Sequence, residues 1–433
     1  MKCDECGVES RPDFDFATIR NGPTKKRFIC PTCLQFKRHE SGNTIIKDYF
    51  GGLFFASLFL LNEKAPWFFL NIYLFLAMVY LSIVPHELGH ALGVLLTRSK
   101  LLEISFGQGR RLYYTKLFGV YLDFCIAPIE GRVRYLHQKG YALRFKSIFI
   151  SVMGPATNLI LFLILWFMFE DAIANESFYK TPAPMFTFAL ANLFTAIVNL
   201  VPFKYRAGSD PVFSDGYSII KTIFSKQAHI PDETEQILFQ ASLAFYYKDF
   251  EACKTLSKKA IEKNKDDKRG YSYYAIAVSG LGDYKEGIKV LNKLLESPDL
   301  EDGTRAITQS NLAYYYLLLD DPSNYGKALE LTEKAMEYGP WELSIRSNYG
   351  ALNIVAGDVK KGIDVLTDKR YSIHSKEAQA EIHCFLAIGL AKINETELAK
   401  SDLTKARKLD SKCIFIPRAE KQLHNAEARA AGV

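Results

Sequence analysis

The stretch "YLSIVPHELGHALGVLL" (residues 80–96) sets His86, Glu87 and His90 inside a run otherwise fit for lipid. On a helix, His-Glu-x-x-His brings two imidazoles to one face, four residues apart. Both can hold one zinc ion while Glu87 stays off the metal as a general base. Ionisable groups are disfavoured among lipid chains, so their presence there points to a working site. The plainer alternative is that they pair with one another inside a helix bundle. A third metal ligand has to come from elsewhere in the chain.

A second constellation lies at the start, where Cys3-x-x-Cys6 and Cys30-x-x-Cys33 have the spacing of a four-cysteine zinc ribbon. Four thiolates can close a tetrahedron and hold together a segment too small for its own core. A redox pair is the alternative. A closed site of this kind implies a structural or partner-binding role. The other four cysteines, Cys125, Cys253, Cys384 and Cys413, are scattered, so the eight do not form a disulfide pattern and fit a reducing cytosol. Residues 1–48 hold nine Lys/Arg against seven Asp/Glu, too even a balance for strong nucleic-acid binding. No secretory signal is expected, because residues 1–40 are polar and charged.

These residues need elements to carry them. With 433 residues the chain has room for two or three domains, and its character changes near residue 230 from long uncharged runs to charged helical repeats. Four transmembrane helices are expected, at about 45–62, 67–96, 147–169 and 181–203, the first on the weakest run. Residues 1–48 carry nine Lys/Arg and residues 98–146 carry ten, while connections 62–66 and 170–180 carry one each. The positive-inside rule then puts both termini and the 98–146 loop in the cytosol of a multi-pass cell-membrane protein. His86 falls near the cytosolic end of the second span, where water can reach it through a cavity.

The stretch 86–96 resembles the catalytic helix of the intramembrane zinc metalloproteases of the site-2 protease family, and the likeness extends further. "FGQGRRLYYTKLFGVYLDFCIAPIEGRVRYL" (106–136) is similar to their membrane-associated sheet, "GPATNL" (154–159) to their Gly-Pro-x-x-Asn element, and "NLVP" (199–202) with "SDGY" (214–217) to their aspartate segment. The resemblance implies His86, His90 and Asp215 as zinc ligands and Glu87 as base. It also implies Asn158 and Asn199 as polar groups near the site, orienting substrate or an oxyanion, although asparagine in a span also serves to bond a neighbouring helix. This chain inserts "FKYRAGSDP" before the aspartate, which leaves Asp210 as a competing ligand. Asp215 is preferred because a glycine and the helical run "YSIIKTIF" follow it directly.

In the 98–146 loop, Val120, Leu122, Phe124 and Ile126 alternate with Tyr121, Asp123 and Cys125, a strand pattern. Such a sheet either holds an extended substrate at its edge or is only scaffold. Arg110, Arg111, Arg132 and Arg134 are expected at lipid headgroups. Beyond residue 236, five self-similar helical hairpins place small residues at Cys253, Gly287, Ala328, Gly362 and Ala399, at intervals of 34, 41, 34 and 37. This resembles tetratricopeptide repeats, which form solenoids that bind peptides and protein segments.

The expected architecture is mostly α. A zinc ribbon (1–43) precedes a polytopic helix bundle with a small membrane-associated sheet (44–235) and an α-solenoid (236–433). The expected activity is a zinc endopeptidase that cuts the transmembrane segment of a single-span, membrane-tethered protein. It would use one catalytic and one structural zinc, with the repeats holding the substrate's tail or an adaptor. The alternative is a proteolytically inactive membrane scaffold that gathers partners on its repeats.

Overall fold

The structure, a computed structural model, describes residues 2–9, 17–21, 25–36, 66–137, 142–175, 181–207, 210–225 and 232–431. The first expected span, 45–62, lies outside them. Two compact units emerge, Met1–His39 with Glu233–Val433, and Glu40–Asp232. The ribbon and the repeats, far apart in sequence, therefore belong to one body.

In the second unit, α2 (Pro66–Leu96) and α3 (Leu143–Met168) are long and apolar enough to cross a membrane. At about 1.5 Å per residue the 31 residues of α2 reach roughly 46 Å. Helix α5 (Pro184–Leu200) is apolar but has 17 residues, a little short of a full bilayer core of about 30 Å. A short α4 (Glu170–Asn175) lies between α3 and α5. The polarity of α2 is reversed from that of a water-soluble helix. Asn71, Ser82, His86, Glu87 and His90 are buried, whereas Leu81, Leu88, Leu92 and Leu95 are exposed. Apolar side chains cover the outside and polar ones bond within, the arrangement lipid demands.

Close packing follows from small residues. A β-carbon on Gly89 would lie 2.4 Å from the Thr157 hydroxyl, and one on Gly93 would lie 2.9 Å from Met153, both on α3. Glycines four apart let the two backbones approach.

Between α2 and α3 run β3 (Lys100–Leu117) and β4 (Val120–Leu136). Their turn, Phe118–Gly119, has positive φ at both residues, as a two-residue hairpin twisted like its strands requires. Each strand bends midway, so Ile104 pairs with both Leu122 and Val133, and Phe106 with both Phe124 and Gly131. The result is a four-segment sheet in the order 111–117, 120–125, 100–106, 131–136. The arginines depart from expectation. Arg132 and Arg134 bind the fully buried Glu103 at 3.0 and 3.1 Å, and Arg111 binds buried Asp123 at 2.9 Å. A buried carboxylate without a partner is costly, and these cations neutralise the buried carboxylates of the sheet. The side chain of Arg110 lies outside the described residues.

After α5, a hairpin of β5 (Lys204–Ala207) and β6 (Asp210–Phe213) leads into α6 (Asp215–Phe224). This is the inserted segment of the sequence.

In the other unit, β1 (Ala17–Asn21) pairs with β2 (Lys25–Ile29), and a helical turn, α1 (31–36), follows. Five helical hairpins run from α7 (Glu233–Tyr246) to α16 (Thr396–Leu409), and α17 (Ile416–Ala431) closes the array. All five small residues of the repeat sit buried in second helices. A β-carbon on Gly362 would lie 2.6 Å from the Gly350 carbonyl, so contact between paired helices sets that position. Asp249, Asp283 and Asp358 cap the second helices by accepting a backbone N–H three residues on. Tyr247, Tyr315 and Tyr316 are core, while Tyr246 is exposed.

One partly buried pair is expected to give the array a pH dependence. The Tyr314 hydroxyl donates to the Glu381 carboxylate at 3.0 Å. Burial pushes that carboxyl up to about 7 even though the tyrosine bond lowers it. The folded chain thus holds a proton that the unfolded chain has released above its ordinary value of 4.5, so stability falls as pH rises through this window. Glu381→Gln should raise the melting temperature of the array by roughly 2–4 °C per kcal/mol recovered at about pH 8 and leave it unchanged near pH 5. Differential scanning calorimetry at the two pH values checks this.

Candidate functional site

Three side chains from two separate helices meet at a cavity of about 640 Å³ in the second unit. His86 and His90 lie one turn apart on α2, and Asp215 opens α6. Their ligand atoms all fall within 4.8 Å of one another. The imidazole Nε2 atoms are 3.2 Å apart, and Asp215 reaches His86 Nε2 at 3.0 Å and His90 Nε2 at 3.2 Å.

Local structure explains how Asp215 gets there. Ser214 caps α6, accepting from the Tyr217 N–H while its hydroxyl donates to the Val201 carbonyl at 2.7 Å. A β-carbon on Gly216 would sit 2.0 Å from the Leu200 carbonyl, so glycine lets α6 start against the end of α5. Asp210 instead begins β6, paired with Ala207 at the closed end of its hairpin. The hairpin carries the extra residues away and returns the chain at Asp215.

The outer nitrogens fix the tautomers. His90 Nδ1 lies 2.7 Å from the Ile150 carbonyl, which only accepts, so Nδ1 carries the proton. His86 Nδ1 lies 2.7 Å from Asn158 Oδ1. The Asn158 amide donates to the Ser82 carbonyl at 2.9 Å and to Asn192 Oδ1 at 2.8 Å, which turns its oxygen toward His86. Asn192 in turn donates to the Phe188 carbonyl at 2.9 Å. Both Nε2 atoms are left as acceptors, facing a carboxylate that also accepts. Three acceptors within hydrogen-bond distance and no donor between them form a cradle for a cation, and two imidazoles with a carboxylate suit zinc.

Glu87 is buried at the cavity beside these groups. A β-carbon on Gly131 would lie 2.3 Å from its carboxyl carbon, so the edge segment 131–136 passes directly over it. A β-carbon on Gly154 would meet His90 Nε2 at 2.3 Å. That contact gives the Gly-Pro element of α3 its reason. Asn199 lines the cavity and donates to the Thr195 carbonyl at 3.0 Å. Asn158 is not at the cavity wall; its amide is committed to His86, Ser82 and Asn192. Sequence reading missed Asn192, Ser82 and Gly131. For Asn192 a signal existed, an amide in an uncharged run, although nothing local tied it to Asn158.

The four ribbon cysteines form a second donor set, with their sulfurs within 4.8 Å of one another. Cys3, Cys30 and Cys33 are buried, Cys6 partly so, and none is in a disulfide. The Cys30 backbone N–H donates to Cys3 Sγ at 3.3 Å, as a backbone amide does to a thiolate. A hydrogen bond from Cys30 holds the Cys33 thiol well below the usual thiol range, against burial, with Arg370 adding to the effect. Four soft donors on two knuckles fit zinc in a closed tetrahedral site.

Comparison with known proteins agrees with the resemblance in the sequence. Residues 74–173 match the family described as Peptidase family M50, a stretch that covers the end of the apolar run, both histidines, the sheet and α3. No curated protein matches the chain. Among solved structures, a thermophilic TPR protein of Thermus thermophilus is 18% identical, with 44% of this chain and 98% of that chain covered at a TM-score of 0.34. YrrB, described as a TPR protein with an unusual peptide-binding site, is 17% identical over 43% and 90% at 0.30. MamA of Desulfovibrio magneticus RS-1 is 17% identical over 42% and 98% at 0.32. The repeat reading rests on the helical hairpins themselves.

If Asn158 orients a metal-binding imidazole, replacing it should weaken the metal. Asn158→Leu is expected to lower zinc affinity at this site by about 10–100-fold, read by chelator competition on the purified protein.

Proposed function

We propose, on the premise that residues 74–173 belong to Peptidase family M50, that this chain is a zinc-dependent intramembrane endopeptidase. The carrying observation is the convergence of three acceptors, His86 Nε2, His90 Nε2 and Asp215, between apolar helices with Glu87 beside them. His86, His90 and Asp215 would hold the zinc. When bound, the ion would lower the pKa of a water toward 7 and polarise a carbonyl. Glu87 then serves as the general base, accepting a proton from the attacking water and returning it to the leaving amide nitrogen.

A peptide bond in a helix is shielded by its own hydrogen bonds, so cleavage needs an extended substrate. Segment 131–136 supports such a role. It pairs with 100–106 on one side, and among the described residues nothing pairs with the other. Gly131, Val133 and Tyr135 line the cavity. An unwound substrate strand adding to this edge would lie across Glu87. Asn199, at the cavity wall, is placed to bond such a backbone.

The substrate would be a single-span, membrane-tethered protein cut near the cytosolic face. In this reading parts 1–43 and 236–433 are cytosolic, part 44–235 is a multi-pass bundle of the cell membrane, and the repeats bind the substrate's tail or an adaptor.

Quantitative membrane proteomics of native cells tests this by comparing wild type with Glu87→Gln, which keeps the metal ligands and removes the base. A membrane protein or remnant that accumulates only in the variant supports the reading. If nothing accumulates while the chain is present and folded, the inactive-scaffold alternative stands instead. Gly131→Ala should leave zinc content intact and cut turnover by at least about tenfold, because its methyl group displaces Glu87. Cleavage of an accumulated substrate by purified protein measures this.

A further inference from the structure

The ribbon rests on the repeat array in a manner that ties the docking to its metal. The knuckle bearing Cys30 and Cys33 lies against two loops of the array. The Thr32 hydroxyl donates to the Trp341 carbonyl, and Trp341, only 6% exposed, packs with Cys3, Ile29, Cys30 and Cys33. The ammonium of Lys369 lies 5.7 Å from the centre of the Phe36 ring.

The central contact is Arg370. It is buried, and Asp368 engages its Nε and Nη2. Its remaining edge is aimed at the ribbon, where Nη1 donates to Cys33 Sγ at 3.4 Å. Asp368 is so occupied that Arg346 stands 3.6 Å from it, with a buried Nε that has no hydrogen-bond partner. A neutral thiol is a poor acceptor for a buried guanidinium N–H, and a thiolate is a good one. Four thiolates around one zinc carry a net charge of two minus, which suits a guanidinium held 3.4 Å from one sulfur. Four protonated thiols carry none.

We propose that the cysteine cluster is a zinc-dependent latch, through which Arg370 fastens the ribbon onto the Trp341 and Arg370 loops of the repeat array. Loaded with zinc, the ribbon covers this strip; without zinc, the ribbon leaves it and Trp341 is bared. By linkage, whatever factor zinc adds to docking, docking adds to zinc affinity. The latch stands independently of the peptidase reading, since it involves none of the residues at the membrane site.

Hydrogen–deuterium exchange of the full chain in detergent reads the docking, comparing the zinc-loaded protein with Cys3→Ser/Cys6→Ser and with Arg370→Ala. Loss of the cysteine ligands should raise exchange both in residues 25–36 and on the array side in 339–345 and 368–373, leaving 380–430 protected. Arg370→Ala should bare the same strip and lower zinc affinity of the cluster by about tenfold, with Arg370→Lys between. Affinity is read in a chain with His86 and His90 replaced by alanine, so that only the cysteines titrate. Should either variant lose protection throughout 233–431, stripping zinc from the wild type and adding it back gives the same test at 339–345 and 368–373. Unchanged protection of the strip without zinc, or unchanged zinc affinity in Arg370→Ala, overturns the latch.

Discussion

Three acceptors face one another in the middle of an apolar helix bundle, and most of the membrane unit can be understood as what that arrangement requires. Two imidazoles and a carboxylate at 3.0–3.2 Å, with both outer imidazole protons already donated elsewhere, repel unless a cation sits between them. Every neighbouring group is therefore a partner of defined polarity. The Ile150 carbonyl takes one proton and the Asn158 oxygen the other, while Asn192 and Ser82 hold Asn158 the right way round. The glycines serve the same end. Gly154 leaves room for the His90 ring, and Gly216 lets α6 begin close enough to α5 for Asp215 to reach back.

The sheet answers a second requirement, the neutralisation of its own buried carboxylates. Its buried Glu103 and Asp123 would be untenable alone, and Arg132, Arg134 and Arg111 neutralise them from adjoining segments. The edge segment is thus pinned by ion pairs on its inner side, and among the described residues no strand pairs with its other side, where Gly131, Val133 and Tyr135 line the cavity. That combination of a rigid inner contact and a free hydrogen-bonding edge is what backbone recognition needs.

Local signals in the sequence were dependable, and long-range ones were not. The His-Glu-x-x-His spacing, the cysteine pairs and the small residues of the repeats each report on geometry within one or two turns, and each is found where its period puts it. Asp215 could be preferred over Asp210 because Gly216 and the helical run adjoin it. By contrast, the period-two pattern of the 98–136 region reads equally well as one hairpin or as two strands that bend. Only pairing of Ile104 and Phe106 on both sides distinguishes them. Arg111, Arg132 and Arg134 read as headgroup ligands in the sequence because their carboxylate partners lie 12 to 31 residues away. Asn158 had a visible place but not a visible partner, since its orientation depends on Asn192 on another helix. The seating of the ribbon on the repeats joins residues 309 and 337 positions apart, and no local pattern carries that information.

The two donor clusters solve one electrostatic problem in opposite ways, and the difference bears on what each can do. At the membrane site the donors are two neutral imidazoles and one carboxylate. A divalent cation there would keep a net positive charge, and the site adjoins a cavity of about 640 Å³. A site of that charge polarises a carbonyl. In the ribbon four thiolates would overcompensate the same cation, and the cysteines are packed against Ile29 and Trp341. A closed site of negative charge has no electrophilic chemistry to offer, but it attracts a guanidinium strongly. Arg370 stands where that attraction acts. Ligand charge and access together would separate the site proposed to act on a substrate from the one proposed to hold its own chain.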